Sequence, residues 1–152
     1  MKLTLPRAFE IEIEQAARAA YPRECCGLLE GVRSEARAEI MVLHSARNIA
    51  TAKDRFEIDP GDHFAALKAA RDTGRAIIGC YHSHPNGTAA PSATDRAGAG
   101  QENFLWLIAA LDAKEGPVTL CAYDYSGTEF LAVEKEGPVG ADWVTSSEKL
   151  RS

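Results

Sequence analysis

The chain has 152 residues, a net charge of −5, 45% hydrophobic and 26% charged residues, which suits one domain with one core. The acidic balance argues against a non-specific nucleic-acid surface, which needs a basic face. No apolar run approaches the roughly 20 residues of a membrane helix, and the opening "MKLTLPRAFEIEIEQ" turns acidic too soon for a secretory signal, so a cytoplasmic protein with neither membrane nor nucleic-acid partners is expected.

From Pro6 to Ala20 the residues Phe9, Ile13, Ala16, Ala17 and Ala20 recur at helical spacing, and Pro22 ends that helix. "CGLLEGV" reads as a strand. A turn near Ser34-Glu35 leads to a second strand, "AEIMVLH", so the two form a hairpin. "RFEID" is a short strand candidate. Asp59-Pro60 then starts a helix, an N-cap followed by proline at the first helical position; it runs to about Thr73, where Gly74 stops it. "AIIGCYHSH" is a buried strand by its β-branched and aromatic content. "PNGTAAP" is a loop, and "SATDRAGAGQE" a short helix. "FLWLIAALD", "VTLCAYD" and "TEFLAVE" are three further strands, separated by Gly-Pro and Ser-Gly turns. Residues 1–136 form the domain. The polar tail, 137–152, is expected to be loosely held, with room for a short helix. Strands outnumber helices, so the fold class is mixed α+β, a curved mixed β-sheet flanked by helices. The four cysteines, Cys25, Cys26, Cys80 and Cys121, contain no Cys-x-x-Cys pair and are assigned to packing.

The stretch "GCYHSHPNGTAAPSATD" (79–95) concentrates the chemistry. Residues i and i+2 of a strand share a face, so His82 and His84 project together while Ser83 points away. Pro85 removes a backbone donor and ends the pairing. Two imidazoles on one face can bind zinc through their ring nitrogens. Ser92 and Asp95 lie three apart, on one face of a helical turn. The returning loop can bring Asp95 in as a third ligand and leave a fourth position to water, the pattern of a catalytic zinc centre. Ser-x-x-Asp is also a capping box; Ser92 can cap while Asp95 binds metal. His44 and His63 are not assigned to the metal.

"HSHPNGTAAPSATD" resembles the JAMM motif, His-x-His-Pro-x6-Ser-x-x-Asp, of the JAMM/MPN+ zinc metalloproteases, with every motif residue at the family's spacing. "YPRECCGLLEG" resembles the family's upstream glutamate segment, and "RNIATAKDRFEIDP" and "GRAIIGCYHSHP" look like small bacterial members. The resemblance spans roughly residues 7–134. It implies the JAMM/MPN fold, which is cytidine deaminase-like, and a zinc-dependent peptidase. His82, His84 and Asp95 would be the zinc ligands, Glu24 the general acid/base, and Ser92 a donor to the developing oxyanion. Glu30 competes with Glu24 for the role of base. Glu24 matches the family position at the helix-to-strand junction, whereas Glu30 precedes a polar turn and reads as a solvated charge.

Family members cut amide or isopeptide bonds after the C-terminal Gly-Gly of ubiquitin or ubiquitin-like β-grasp proteins. The partner implied is a ubiquitin-like or sulfur-carrier protein ending in Gly-Gly, and a homodimer is compatible with the chain. Two other classes compete: a non-catalytic MPN scaffold, and a metal-binding protein without catalysis. The scaffold class usually lacks motif residues that this chain retains. The open coordination position and Glu24 argue against the other. A cytidine deaminase would need His-x-Glu and Pro-Cys-x-x-Cys, and neither occurs.

Overall fold

The computed structural model describes residues 1–137 and Trp143. In chain order the elements are β1 (Lys2–Thr4), α1 (Arg7–Ala20), β2 (Cys26–Arg33), β3 (Arg37–Ala46), α2 (Pro60–Ala70), β4 (Ala76–His84), α3 (Ala93–Gly98), β5 (Phe104–Ala110), β6 (Thr119–Tyr125) and β7 (Phe130–Lys135). The strands run in the order β1-β3-β2-β4-β5-β6-β7 and close on themselves. β1 makes the closure, because it pairs in parallel with both β3 and β7. Sequence periodicity gave no sign of β1, since three residues with one buried apolar side chain are too few to alternate.

Side-chain alternation sorts the interior into two sides. Leu29 of β2, Tyr81 of β4 and Leu105 and Leu107 of β5 pack with Ile13 and Ala17 of α1. Their neighbours Leu28, Cys80 and Trp106 pack on the opposite side with Ala66 of α2. Each Leu or Ile buried this way stabilises the fold by about 1.5–3 kcal/mol before entropy is counted. A register shift between Leu29 and Glu30 of β2 against β4 places one extra β4 residue at the bulge. From there Cys80, His82 and His84 all face the α2 side. Gly27 lies opposite Tyr81; a Cβ on Gly27 would stand 2.2 Å from Tyr81 Cζ, so only glycine lets that ring lie across the strand.

The expected helices and hairpin are present, with differences at their ends. α2 begins at Pro60, and the Asp59 side chain accepts from Asp62 N at 3.0 Å. It ends at Ala70 rather than near Thr73, and the chain reverses at Gly74, whose φ is +78°. α3 stops at Gly98. "RFEID" is not a strand: Ile58 makes one isolated bridge to Asn48, and the remainder is loop, because no longer edge lies alongside it. Most of the tail expected to be loosely held, and its short helix, lie outside the described residues. Trp143 is described, and it is buried with a parallel bridge to Leu120. No described helix is long and apolar enough to cross a membrane.

Candidate metal centre

The site forms where β4 ends beside the entrance to β2. These strands are antiparallel, with Cys26 opposite His82. The pairing continues beyond the first residue of β2: Ser83 N donates to Cys25 O at 3.2 Å, and Cys25 N donates to Ser83 Oγ at 2.8 Å. Continuing the register puts Glu24 opposite His84, on the face that also carries His82. Ser83, on the other face, serves the backbone.

The loop after β4 brings in the second carboxylate. Gly87 takes φ +80° and donates its N–H to His84 O at 3.3 Å, which turns the chain back. The Tyr123 hydroxyl donates to Ala89 O at 3.0 Å and anchors the loop to β6. α3 then opens with a complete capping box. Asp95 N donates to Ser92 Oγ at 3.0 Å, and Ser92 N donates to Asp95 Oδ2 at 2.9 Å. The capping role of Ser92 and Asp95 therefore coexists with a place in the cluster.

His82 Nε2 and His84 Nε2 are 2.9 Å apart. Asp95 Oδ1 lies 3.0 Å from His82 Nε2, and Asp95 Oδ2 lies 3.0 Å from His84 Nε2. The ligand atoms of Glu24, His82 and His84 also lie within 4.8 Å of one another. The four residues are buried, and Glu24 Oε1 and His82 Nδ1 have no hydrogen-bond partner among the described residues. The structure thus brings Glu24, His82, His84 and Asp95 together with Ser92 beside them.

The donor set fits a metal cation. His84 Nδ1 is 2.6 Å from Thr88 O, and a carbonyl only accepts, so Nδ1–H donates to it. In neutral His84 this leaves a lone pair on Nε2, facing a carboxylate oxygen at 3.0 Å. Two lone pairs do not approach so closely unless a positive charge, a second proton or a metal ion, lies between them.

Electrostatics separate the two carboxylates. Burial pushes Glu24 from the usual 4.5 up to about 7; nearby Asp95 and Asp54 add to this, while His84 opposes it. Burial also acts to raise Asp95, but His82, His84 and the Ser92 N–H outweigh it and hold Asp95 well below the usual range. Burial lowers His82. For His84 burial is outweighed by Asp95, and its pKa is raised. One carboxyl can thus carry a proton near neutrality while the other stays ionised.

Glu30 is not a solvated charge. It is 2% exposed, and it binds His44 Nε2 at 2.9 Å and Arg75 Nε at 2.7 Å. It shares the α2-side face with Glu24 but lies six residues along β2, roughly 20 Å away at 3.3 Å per residue. His44 belongs to that pair, and His63 is exposed on α2, so neither joins the cluster.

Sequence reasoning missed Phe56, Trp106 and Asn48. Phe56 stacks on His82 with ring centroids 4.3 Å apart, and Trp106 meets the same imidazole edge-on at 5.7 Å. The quoted segment "RNIATAKDRFEIDP" contains Asn48 and Phe56, but a strand there would not have placed Phe56 over the site. Two cavities flank the cluster. One, of about 340 Å³, is lined by Leu28, Phe56, Phe104 and Trp106 and reaches Asp95. The other, of about 420 Å³, carries the ionisable side chains Glu24, Lys53, Asp54 and His84 together with Ser92.

Residues 6–121 match the family of prokaryotic homologs of the JAB domain, Prok-JAB. The chain belongs to this family. A desampylase of Haloferax volcanii is 34% identical over 117 residues, which are 76% of this chain and 79% of that protein. A solution structure of a protein from Desulfitobacterium hafniense superposes with a TM-score of 0.69 at 26% identity, covering 91% of this chain and 95% of that one. The crystal structure of a JAB1/MPN domain protein from Archaeoglobus fulgidus shares the fold, with a TM-score of 0.50 at 18% identity over 90% of this chain and 97% of that one. The Prok-JAB assignment agrees with the resemblance carried by the His-x-His-Pro stretch. The mixed sheet with its few helices is the JAB/MPN fold.

Proposed function

We propose that this chain is a cytoplasmic zinc-dependent peptidase or isopeptidase that cuts after the C-terminal Gly-Gly of a ubiquitin-like or sulfur-carrier β-grasp protein. The observation that carries this is a tight His82–His84–Asp95 cluster with a second buried carboxyl, Glu24, that lies within 4.8 Å of both histidines and has an unpartnered oxygen. Similarity to a protein named desampylase supports the hydrolase class.

His82, His84 and Asp95 would hold the zinc. Zinc bound there would supply an activated water of pKa about 7 and polarise the scissile carbonyl. Glu24 takes a proton from the attacking water and later gives it to the leaving amine, and its burial favours holding that proton between the two transfers. Ser92 Oγ accepts from Asp95 N, which leaves its own proton to donate to the oxyanion. Thr88 fixes the tautomer of His84.

Glu24 also orients the substrate. It lines the cavity of Lys53, Asp54 and Ser92 and not that of Leu28, Phe56 and Trp106, so the amine it protonates departs through the former. The acyl side then lies along Leu28, Phe56 and Trp106. An extended tail can approach a buried metal closely only where its residues lack side chains, and it can pair with a strand edge as it does so. A non-catalytic scaffold needs none of this, and a buried carboxyl oxygen with no partner would only destabilise it.

The test is a β-grasp carrier extended beyond Gly-Gly by cysteine or a short peptide. Mass spectrometry of the products should show cleavage after the second glycine, abolished by replacing that glycine with valine and stopped by chelating zinc. Equal cleavage of the valine variant, or cleavage at unrelated sites in an unfolded protein, would make the chain a general peptidase instead.

A further inference from the structure

Asn48 lies just beyond β3, at the base of the loop 49–58. Its amide nitrogen donates to Glu24 O at 2.9 Å and to Arg55 O at 3.1 Å. Its Oδ1 accepts from Ala50 N and from Glu57 N, each at 3.0 Å. One half-buried carboxamide therefore uses both donor hydrogens and both acceptor lone pairs, its full capacity. The four partners come from three stretches of chain: the entrance to β2, the outgoing limb of the loop and its returning limb. Backbone bonds frame the same base, with Ile49 N donating to Glu57 O at 2.9 Å and Asp59 N to Arg47 O at 3.0 Å.

Two of the three stretches carry site residues. Glu24 itself lies ahead of the first ladder residue of β2, so sheet pairing does not hold its carbonyl. Phe56 lies between Arg55 and Glu57, both bonded to Asn48, and stacks on His82 at 4.3 Å. We infer that Asn48 is a positioning residue: it fixes the backbone of the general base Glu24 and, in the same carboxamide, the loop that seats Phe56 on His82. The catalytic part of this rests on the function proposed above. The role requires an amide. Aspartate has the same shape but no donor, and it would set a carboxylate against the carbonyls of Glu24 and Arg55.

The experiment compares the full-length wild type with Asn48→Asp and Asn48→Ala, each loaded with zinc. The first readout is steady-state kinetics on the Gly-Gly carrier, well below the melting temperature. Both variants should keep KM within about threefold and lose roughly 10- to 100-fold in kcat, the scale of a misplaced catalytic group. The second readout is independent of turnover: the NMR shifts of the His82 ring protons, which the stacked Phe56 ring shields. Both variants should lose that upfield shift, and in Asn48→Ala, which also removes the acceptor Oδ1, the amides of Ala50 and Glu57 should exchange faster, while the core amides of β5 stay protected. Should the alanine variant fold poorly, the near-isosteric aspartate variant carries the test alone. Wild-type kcat together with an unmoved His82 shift in a folded variant would overturn the inference. A wild type that does not cut the carrier would refute the proposed function instead, and the NMR comparison would still decide whether Asn48 seats Phe56.

Discussion

Glu24→Gln tests the site from two directions. The amide keeps the shape of the side chain but cannot take up the water's proton. Losing a general base costs about 10²–10⁴-fold in rate, equivalent to about 3–5 kcal/mol in barrier at 1.36 kcal/mol per decade. The same change alters stability in a defined pH window. In the folded protein stripped of metal, burial raises Glu24 from the usual 4.5 to about 7. Below pH 4.5 both the folded and the unfolded chain hold this proton, and nothing is lost. Between 4.5 and 7 the unfolded chain ionises first, so wild-type stability falls as pH rises. At 1.36 kcal/mol per pH unit the loss approaches about 3 kcal/mol above pH 7, an upper figure because relaxation of the site reduces it. Glutamine does not titrate. Relative to wild type, the chelated variant should therefore gain up to about 3 kcal/mol between pH 4 and pH 8. Denaturant unfolding followed by tryptophan fluorescence measures that difference at each pH. A difference that does not change with pH, or a zinc-loaded variant with wild-type turnover, would refute the assignment of Glu24.

His82→Ala and Asp95→Ala should each lose bound zinc, expected at about one per chain, whereas Cys25→Ser should keep it, because burial pushes the Cys25 thiol up to about 11 and its role is packing; elemental analysis after gel filtration decides. Glu30→Gln should leave the turnover of the folded enzyme unchanged but destabilise it by about 1–3 kcal/mol, since Arg75 and His44 lose a charged partner. Burial acts to raise Glu30, but His44 and Arg75 outweigh it and hold its carboxyl below the usual value. That stabilisation is present above the usual carboxylate range and disappears as pH falls through the lowered value, so the variant and wild type should converge in acid. Gly27→Ala should destabilise the barrel by about 1–3 kcal/mol or more, because its methyl would lie 2.2 Å from the buried Tyr81 ring; chemical denaturation would show it.

Local pattern was enough for much of this protein. Two-residue alternation places His82 and His84 on one face of their strand, and the Ser92–Asp95 spacing marks a helix start, which the structure bears out with a complete capping box. α1, α2 and the six longer strands follow from periodicity and from the prolines and glycines that end them. What required the tertiary structure depended on contacts between distant segments. β1 is a strand only because two strands, 35 and 132 residues further along at Lys2, offer it edges. Glu24 and Glu30 have the same residue type and share a face; burial beside His84 separates one from the other, which is sequestered by Arg75 and His44. Nothing in the local sequence distinguishes a carboxyl with an unpartnered oxygen from one bonded through both. Likewise "RFEID" has strand composition, but its backbone bonds go elsewhere, and Asn48 folds it into a loop that delivers Phe56 to His82. Propensity and periodicity act over a few residues; burial and the choice of hydrogen-bond partner act across the whole fold.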